Sequence, residues 1–168
     1  MTAMVRTRLA VISLLAIPFG MAAPVHCLQP DSFVGTWQAN ISKSKRHPNH
    51  LFKSATLRFE VSGEEILLTY TGVNMSGAEE TGTFRIHPDG KEHPIPNTPG
   101  YVEVSRWIGD RVLETVASKD GKVVGHSSYE VSEDGKTLTA KISGSDASGT
   151  EFEQIIVCDR DERSGRKQ

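Results

Sequence analysis

The chain predicts an all-β fold, a single antiparallel up-and-down β-barrel of about 8–10 strands. Three observations carry that prediction. Apolar residues recur at period two in one segment after another, no long segment spaces them at helical intervals, and Asp/Gly pairs separate the alternating runs at near-regular distances. Strands joined by tight hairpins pair with their chain neighbours, whereas a βαβ arrangement needs helical crossovers.

The first 22 residues read as an export leader. Arg6 and Arg8 give it a positive start, Leu9 to Phe19 is apolar but for Ser13 and Pro18, and Gly20-Met21-Ala22 supplies the small residues a signal peptidase reads. That run is too short to span a bilayer. Residues 23–32 then form an N-terminal arm, 33–158 the barrel domain and 159–168 a charged, frayed tail. Losing the leader takes Lys plus Arg from 19 to 17 against 21 acidic residues, a net charge near −4. No basic patch suits nucleic acid, and no basic amphipathic helix or second apolar stretch suits a membrane. The expectation is a secreted or periplasmic monomer with no nucleic-acid partner and no transmembrane segment once the leader is gone.

Within the barrel, Phe33-Val34-Gly35-Thr36-Trp37 opens a first strand over Val34 to Ile41. Ala55, Leu57, Phe59 and Val61 alternate with Thr56, Arg58 and Glu60, a half-buried strand. Ser62-Gly63 turns the chain into the alternating run Ile66 to Thr71, and Thr81 to His87 follows, ending at Pro88-Asp89-Gly90. Pro94, Pro96 and Pro99 confine any strand over residues 91–100 to a short edge, because proline donates nothing to a ladder. Tyr101–Ile108, Arg111–Ser118, Lys122–Val131, Thr137–Ser143 and Thr150–Cys158 complete the series. Gly109-Asp110, Asp120-Gly121 and Asp134-Gly135 are the hairpin signals among them.

These turns set the register, and register decides which side chains face inward. A two-residue Gly109-Asp110 turn pairs Arg106 with Leu113, Val104 with Thr115 and Val102 with Ala117, which puts Arg106 on an apolar face. A two-residue Asp134-Gly135 turn pairs Val131 with Leu138 and Tyr129 with Ala140. Between them, a plain Asp120-Gly121 turn puts His126 and Ser128 on the Arg106 face, while a bulge with one extra residue puts Tyr129 and Val131 there. Continuity of the core favours the bulge.

Gly35-Thr36-Trp37 on the first strand, the hairpin series and the length of the exported chain resemble the calycin superfamily, which holds the lipocalins and fatty-acid-binding proteins. Together with Lys43-Ser44-Lys45, Asp89-Gly90-Lys91 and Asp134-Gly135-Lys136-Thr137-Leu138-Thr139, the pattern is also similar to that of small exported bacterial proteins with lipocalin-like folds. The resemblance implies a lipocalin-like barrel in which Trp37 packs across the closed end under an arginine, for which Arg160 is the positional candidate. The chain departs from the fatty-acid-binding proteins in two places. The connection Ser42 to Lys53 contains Pro48 and little apolar material where they carry two helices. Their carboxylate-gripping Arg-x-Tyr pair has no match in Phe152-Glu153-Gln154-Ile155-Ile156-Val157.

A barrel interior not filled by side chains holds one small ligand. The expected function is therefore binding of a small apolar or amphipathic molecule, with Phe59, Tyr70, Phe84 and Tyr129 as apolar wall residues and Arg106 as an anion hook. The alternatives for these residues are ordinary core packing and, for Arg106, a side chain snorkelling to water. The competing class is a filled barrel acting through its surface, as an envelope interaction module or an inhibitor of a secreted enzyme. Small residues such as Gly125, Ser127 and Ala140 around a void separate the two classes.

No nucleophile elbow, zinc helix, phosphate loop or dinucleotide turn is present, so no catalytic role, cofactor or metal is expected. His47 and His50, and His87 and His93, read as solvated loop histidines, and Glu64-Glu65 and Glu79-Glu80 as solvated turn carboxylates. Cys27 and Cys158 both survive leader removal, and an even count in an oxidising compartment suggests a disulfide. Pairing of the first and last strands brings those regions together, and the bridge closes a loop of roughly 130 residues, worth about 3–5 kcal/mol. The alternative is a buried free thiol at Cys158 and a free Cys27 in the arm.

Overall fold

Alternation and hairpins build one continuous antiparallel sheet in the computed structural model, which describes residues 31–145 and 149–162. Its strands are β1 (Gly35–Ala39), β2 (Phe52–Ser62), β3 (Glu65–Asn74), β4 (Glu79–Ile86), β5 (Asp89–Pro94), β6 (Tyr101–Ile108), β7 (Val112–Lys119), β8 (Lys122–Val131), β9 (Thr137–Ser145) and β10 (Glu151–Arg160). The spatial order β4-β3-β2-β1-β10-β9-β8-β7-β6-β5 is up-and-down, with β1 and β10 paired through Trp37↔Arg160 and Ala39↔Cys158. The sheet curls with β4 and β5 as its two edges, so a seam runs between them. The all-β, up-and-down architecture expected from sequence is the one found. The first strand stops early because Asn40 caps a 3-10 turn over Ile41–Lys43, its Oδ1 accepting from the Lys43 N–H at 3.2 Å.

Two of the three hairpin registers follow the sequence reading. Tyr129 pairs with Ala140 and Val131 with Leu138. Ser118 pairs with Val123 but Ala117 with Gly125, so the β7–β8 hairpin carries the bulge. The β6–β7 hairpin corrects the third: Trp107 pairs with Leu113 and Arg106 with Glu114, one residue away from the expectation. Gly109, Asp110 and Arg111 all lie in the loop between the terminal pair Ile108↔Val112, and Gly109 supplies the left-handed φ of 60° that such a loop needs. The slip turns Trp107 inward against Phe33, with ring centroids 5.0 Å apart, and Arg106 outward. Burying an indole releases apolar surface to the core, whereas an unpaired guanidinium there costs several kcal/mol.

One end of the curl is sealed by large side chains. Trp37, Phe33, Phe59, Leu113, Leu138, Val131 and Cys158 are all buried there. The Trp37 Nε1–H donates to the Phe33 carbonyl at 3.0 Å, and the Arg160 guanidinium lies over the indole at 4.0 Å from its centroid. Arg160 also donates to the carbonyls of Gly135 at 2.6 Å, Val34 at 3.0 Å and Ser32. Gly35 makes room for this packing. Its φ is +131°, and a Cβ there would stand 3.1 Å from Arg160 Nη1. Cys158 carries a free thiol with no exposed surface, and burial, with the Asp159 charge adding, pushes its pKa up to about 12. Cys27, its expected partner, and the leader lie outside the described residues.

Candidate functional site

Toward the other end the inward side chains shrink, and a cavity of about 410 Å³ opens among them. Ala39, Ala55 and Ala140 leave the space, and Leu57, Ile142 and Ile156 give it apolar walls. Small-molecule pockets run from roughly 300 to 1,000 Å³, so the volume suits one modest ligand. Tyr70 and Tyr129 add aromatic wall. Gly72 permits the Tyr70 pose, since a Cβ at that position would collide with the Tyr70 hydroxyl. Burial pushes the Tyr129 phenol up to about 12, against a hydrogen bond with Ser127, so it stays neutral at physiological pH.

The mouth is bounded by the β1–β2 connection. A 3-10 turn over Pro48–His50 is capped by His47, whose Nδ1 accepts from the Asn49 N–H at 3.3 Å. That turn lays the His50 ring 4.3 Å from the Phe152 ring, centroid to centroid. Two of the residues that line this space each hold a buried polar atom with no hydrogen-bond partner, His50 Nε2 and Gln154 Oε1. Asn74 and Glu80 engage each other. Asn74 Nδ2 donates to Glu80 Oε1 at 2.8 Å, and Asn74 Oδ1 accepts from the Ala78 N–H at 3.0 Å. Glu80 is the one side chain of fixed charge among the described residues lining the cavity.

The five expected ligand residues are divided by this geometry. Tyr70 and Tyr129 line the cavity. Phe59 does not: it belongs to the sealed end, with Phe33 at 5.7 Å and Tyr129 at 5.6 Å between ring centroids. Phe84 lies across from Leu68 on the inward register yet is 55% exposed, because β4 is an edge with no strand paired beyond it. Arg106, expected inward as an anion hook, is corrected by the register slip. Its Nη2 donates to Glu114 Oε2 at 2.9 Å on the outer surface. Gly125, offered as a small residue beside a void, lines a separate, more open recess with Phe152 and Val123.

Sequence reasoning missed His50, Gln154 and Glu80. The signal for Gln154 was present: Phe152, Gln154, Ile156 and Cys158 share one parity, and only Gln154 among them is polar. His50 had no signal, because its role depends on a turn that carries it to Phe152. The remaining histidine pair is not simply solvated either. His87 and His93 stack at 4.1 Å across the seam, with Glu65 Oε1 3.1 Å from His87 Nε2 and Asp89 Oδ1 3.0 Å from His93 Nε2. Glu103, opposite His93 in the ladder, has its pKa raised by burial, with both histidines opposing the shift. Among the described residues no group of three or more His, Cys, Asp or Glu side chains is gathered as a metal ligand set.

The fold has solved counterparts. The fluorescent protein UnaG superposes with a TM-score of 0.53 at 18% identity, covering 77% of this chain and 98% of that one. This is the calycin fold. A second calycin-type barrel, As-p18, an extracellular fatty acid binding protein, matches with a TM-score of 0.52 at 11% identity, over 79% of this chain and 99% of its own. At these identities the likeness is one of fold. No protein-family model matches the chain, and no curated protein matches it by sequence.

Proposed function

We infer that the chain is an exported calycin-type barrel that binds a small amphipathic molecule in its interior. The observation that carries the reading is the cavity of about 410 Å³, walled by Leu57, Ile142 and Ile156 and floored by Tyr129. Apolar area removed from water there supplies the driving force, at about 25 cal/mol per Å² before the cost of immobilising the ligand. As-p18, described as an extracellular fatty acid binding protein, shares the architecture and lends support at the level of fold. Binding rather than catalysis is the role proposed. Export rests on the Arg6 and Arg8 start and the apolar run to Phe19. A monomer is consistent with the two free edges, which carry Glu79, Glu80 and Arg85 on β4 and Lys91, Glu92 and Pro94 on β5, the residues that blunt edge-to-edge pairing.

Native mass spectrometry of protein purified from its host, followed by extraction of the bound molecule, tests the reading. A stoichiometric small-molecule adduct and uptake of the neutral apolar dye Nile red are expected. Protein that carries no adduct and excludes the dye overturns it. N-terminal sequencing of the same preparation is expected to begin after Ala22.

A further inference from the structure

Resting on that reading, we propose that the ligand's polar group is an uncharged hydroxyl or amide rather than a carboxylate. The argument is one of complementarity between the ligand's head and the groups left open in the cavity. Gln154 Oε1 is buried, unpartnered and an acceptor only, so it calls for an N–H or O–H on the ligand. His50 Nε2, likewise buried and unpartnered, accepts from or donates to that same kind of group according to its tautomer. A hydroxyl or primary amide does both jobs at once. A carboxylate offers no donor to Gln154 Oε1, and with the amide in this orientation leaves that carbonyl unpaired beside a negative charge.

Charge points the same way. No Lys or Arg stands among the described residues lining the cavity, and Glu80, solvent-exposed on the edge strand and bonded to Asn74, does. Arg46 is close to the mouth but committed elsewhere. Its Nη1 donates to the Phe52 carbonyl at 2.5 Å and its guanidinium lies 5.2 Å from the Phe52 ring centroid. Arg106, the one inward cation the sequence suggested, is on the outer surface with Glu114. An anion brought into this space meets a like charge and no guanidinium or ammonium, and a desolvated charge without a partner is strongly disfavoured. Two of the other lining polar groups are already engaged. Asn74 is saturated by Glu80 and its own turn, and the Tyr129 hydroxyl is bonded to Ser127.

The test is competition for bound Nile red at pH 7.4 by decan-1-ol, decanamide and decanoate, which share a chain and differ in the head. The alcohol and the amide are expected to displace the dye at concentrations at least about tenfold below decanoate. Decanoate equal to or better than the alcohol overturns the head-group assignment while leaving the binding reading intact. Failure of Nile red to bind removes the binding reading itself, so the two failures are distinguishable. Gln154→Leu and Glu80→Gln are then compared through the alcohol-to-decanoate affinity ratio within each variant, so that any loss of folded protein cancels. Both ratios are expected to fall toward one, the first by loss of the acceptor and the second by loss of the repelling charge. Ratios unchanged from the parent in both variants overturn the proposal.

Discussion

Replacing Arg160 with methionine isolates the device that seals the closed end. The side chain makes four contacts at once: its face covers the Trp37 ring at 4.0 Å, and its nitrogens donate to the carbonyls of Gly135, Val34 and Ser32. The ring contact contributes about 0.5–2 kcal/mol. A hydrogen bond from a charged donor contributes about 1.5–3 kcal/mol when well buried. The guanidinium is partly open to water and the freed carbonyls rehydrate, so the polar loss is closer to one such bond than to three. The expected destabilisation is therefore about 3 kcal/mol, or a fall in Tm of roughly 6–12 °C for a domain of this size. Urea unfolding followed by circular dichroism and by indole fluorescence measures it, with an unchanged m-value as the sign that compactness is preserved. Arg160→Lys keeps the charge but cannot reach three carbonyls from one ammonium, and should fall between the two. A loss below about 1 kcal/mol for the methionine variant, or a lysine variant as stable as the parent, refutes the reasoning.

Filling the cavity should abolish uptake without unfolding the sheet: Ala140→Phe is expected to weaken Nile red binding at least about tenfold, and undiminished binding counts against an interior site. Cys158, buried and with a pKa near 12, should resist iodoacetamide in the native protein and be alkylated once urea unfolds it without reductant, as read by peptide mapping. Alkylation of the native protein, or a peptide linked to Cys27, refutes the picture of a free buried thiol. Glu65 is held below its ordinary 4.5 by Arg85 and then His87, and Asp89 below its ordinary 3.8 by the Lys91 N–H and then His93. Lowered carboxyl pKa values stabilise the fold above the unfolded values, and that contribution disappears as pH falls through the folded ones. Glu65→Gln should thus cost stability at pH 7 and little below pH 3, by thermal melts across that range. Glu103 has the opposite sign. Burial raises its pKa, so Glu103→Gln should raise the Tm at pH 7 and the gain should vanish below its ordinary 4.5.

The architecture was legible because period-two alternation and Asp/Gly turns are local signals, and a meander asks for nothing more. Trp37 and Arg160 were expected as a pair only through the resemblance to the lipocalins, and the structure sets them opposite each other in the first and last strands. The site was legible only in part, and the reason is arithmetic of turns. Gly109-Asp110 looks like a two-residue hairpin, but the loop also takes in Arg111, and that single residue exchanges Arg106 for Trp107 on the inner face. The β7–β8 bulge is the same kind of event, and there the hydrophobic pattern beyond the turn revealed it. Phe84 failed for a non-local reason. Its parity is inward, yet the sheet ends at β4, and no strand pattern announces where a curl stops closing.

The cavity itself follows from how side-chain size is graded along the strands. Reading inward positions from closed end to mouth, β2 runs Phe59, Leu57, Ala55; β3 runs Ile66, Leu68, Tyr70, Gly72; and β8 runs Val131, Tyr129, Ser127, Gly125. On β2 and β8 the bulk lies at the closed end, where the core packs around Trp37, and the small residues lie toward the mouth. A uniformly large inner face would have filled the barrel, and a uniformly small one would have left no core to hold ten strands together. The polar positions then fall where the grading has already made room. Gln154 sits on β10 between Ile156 and Phe152, and Glu80 sits across the ladder from Gly72, over which the Tyr70 hydroxyl lies. Polar groups placed there cost the core little, because the packed end lies below them, and they can meet whatever occupies the void. The same grading that stabilises the barrel at one end therefore leaves the room at the other that the proposed ligand would fill.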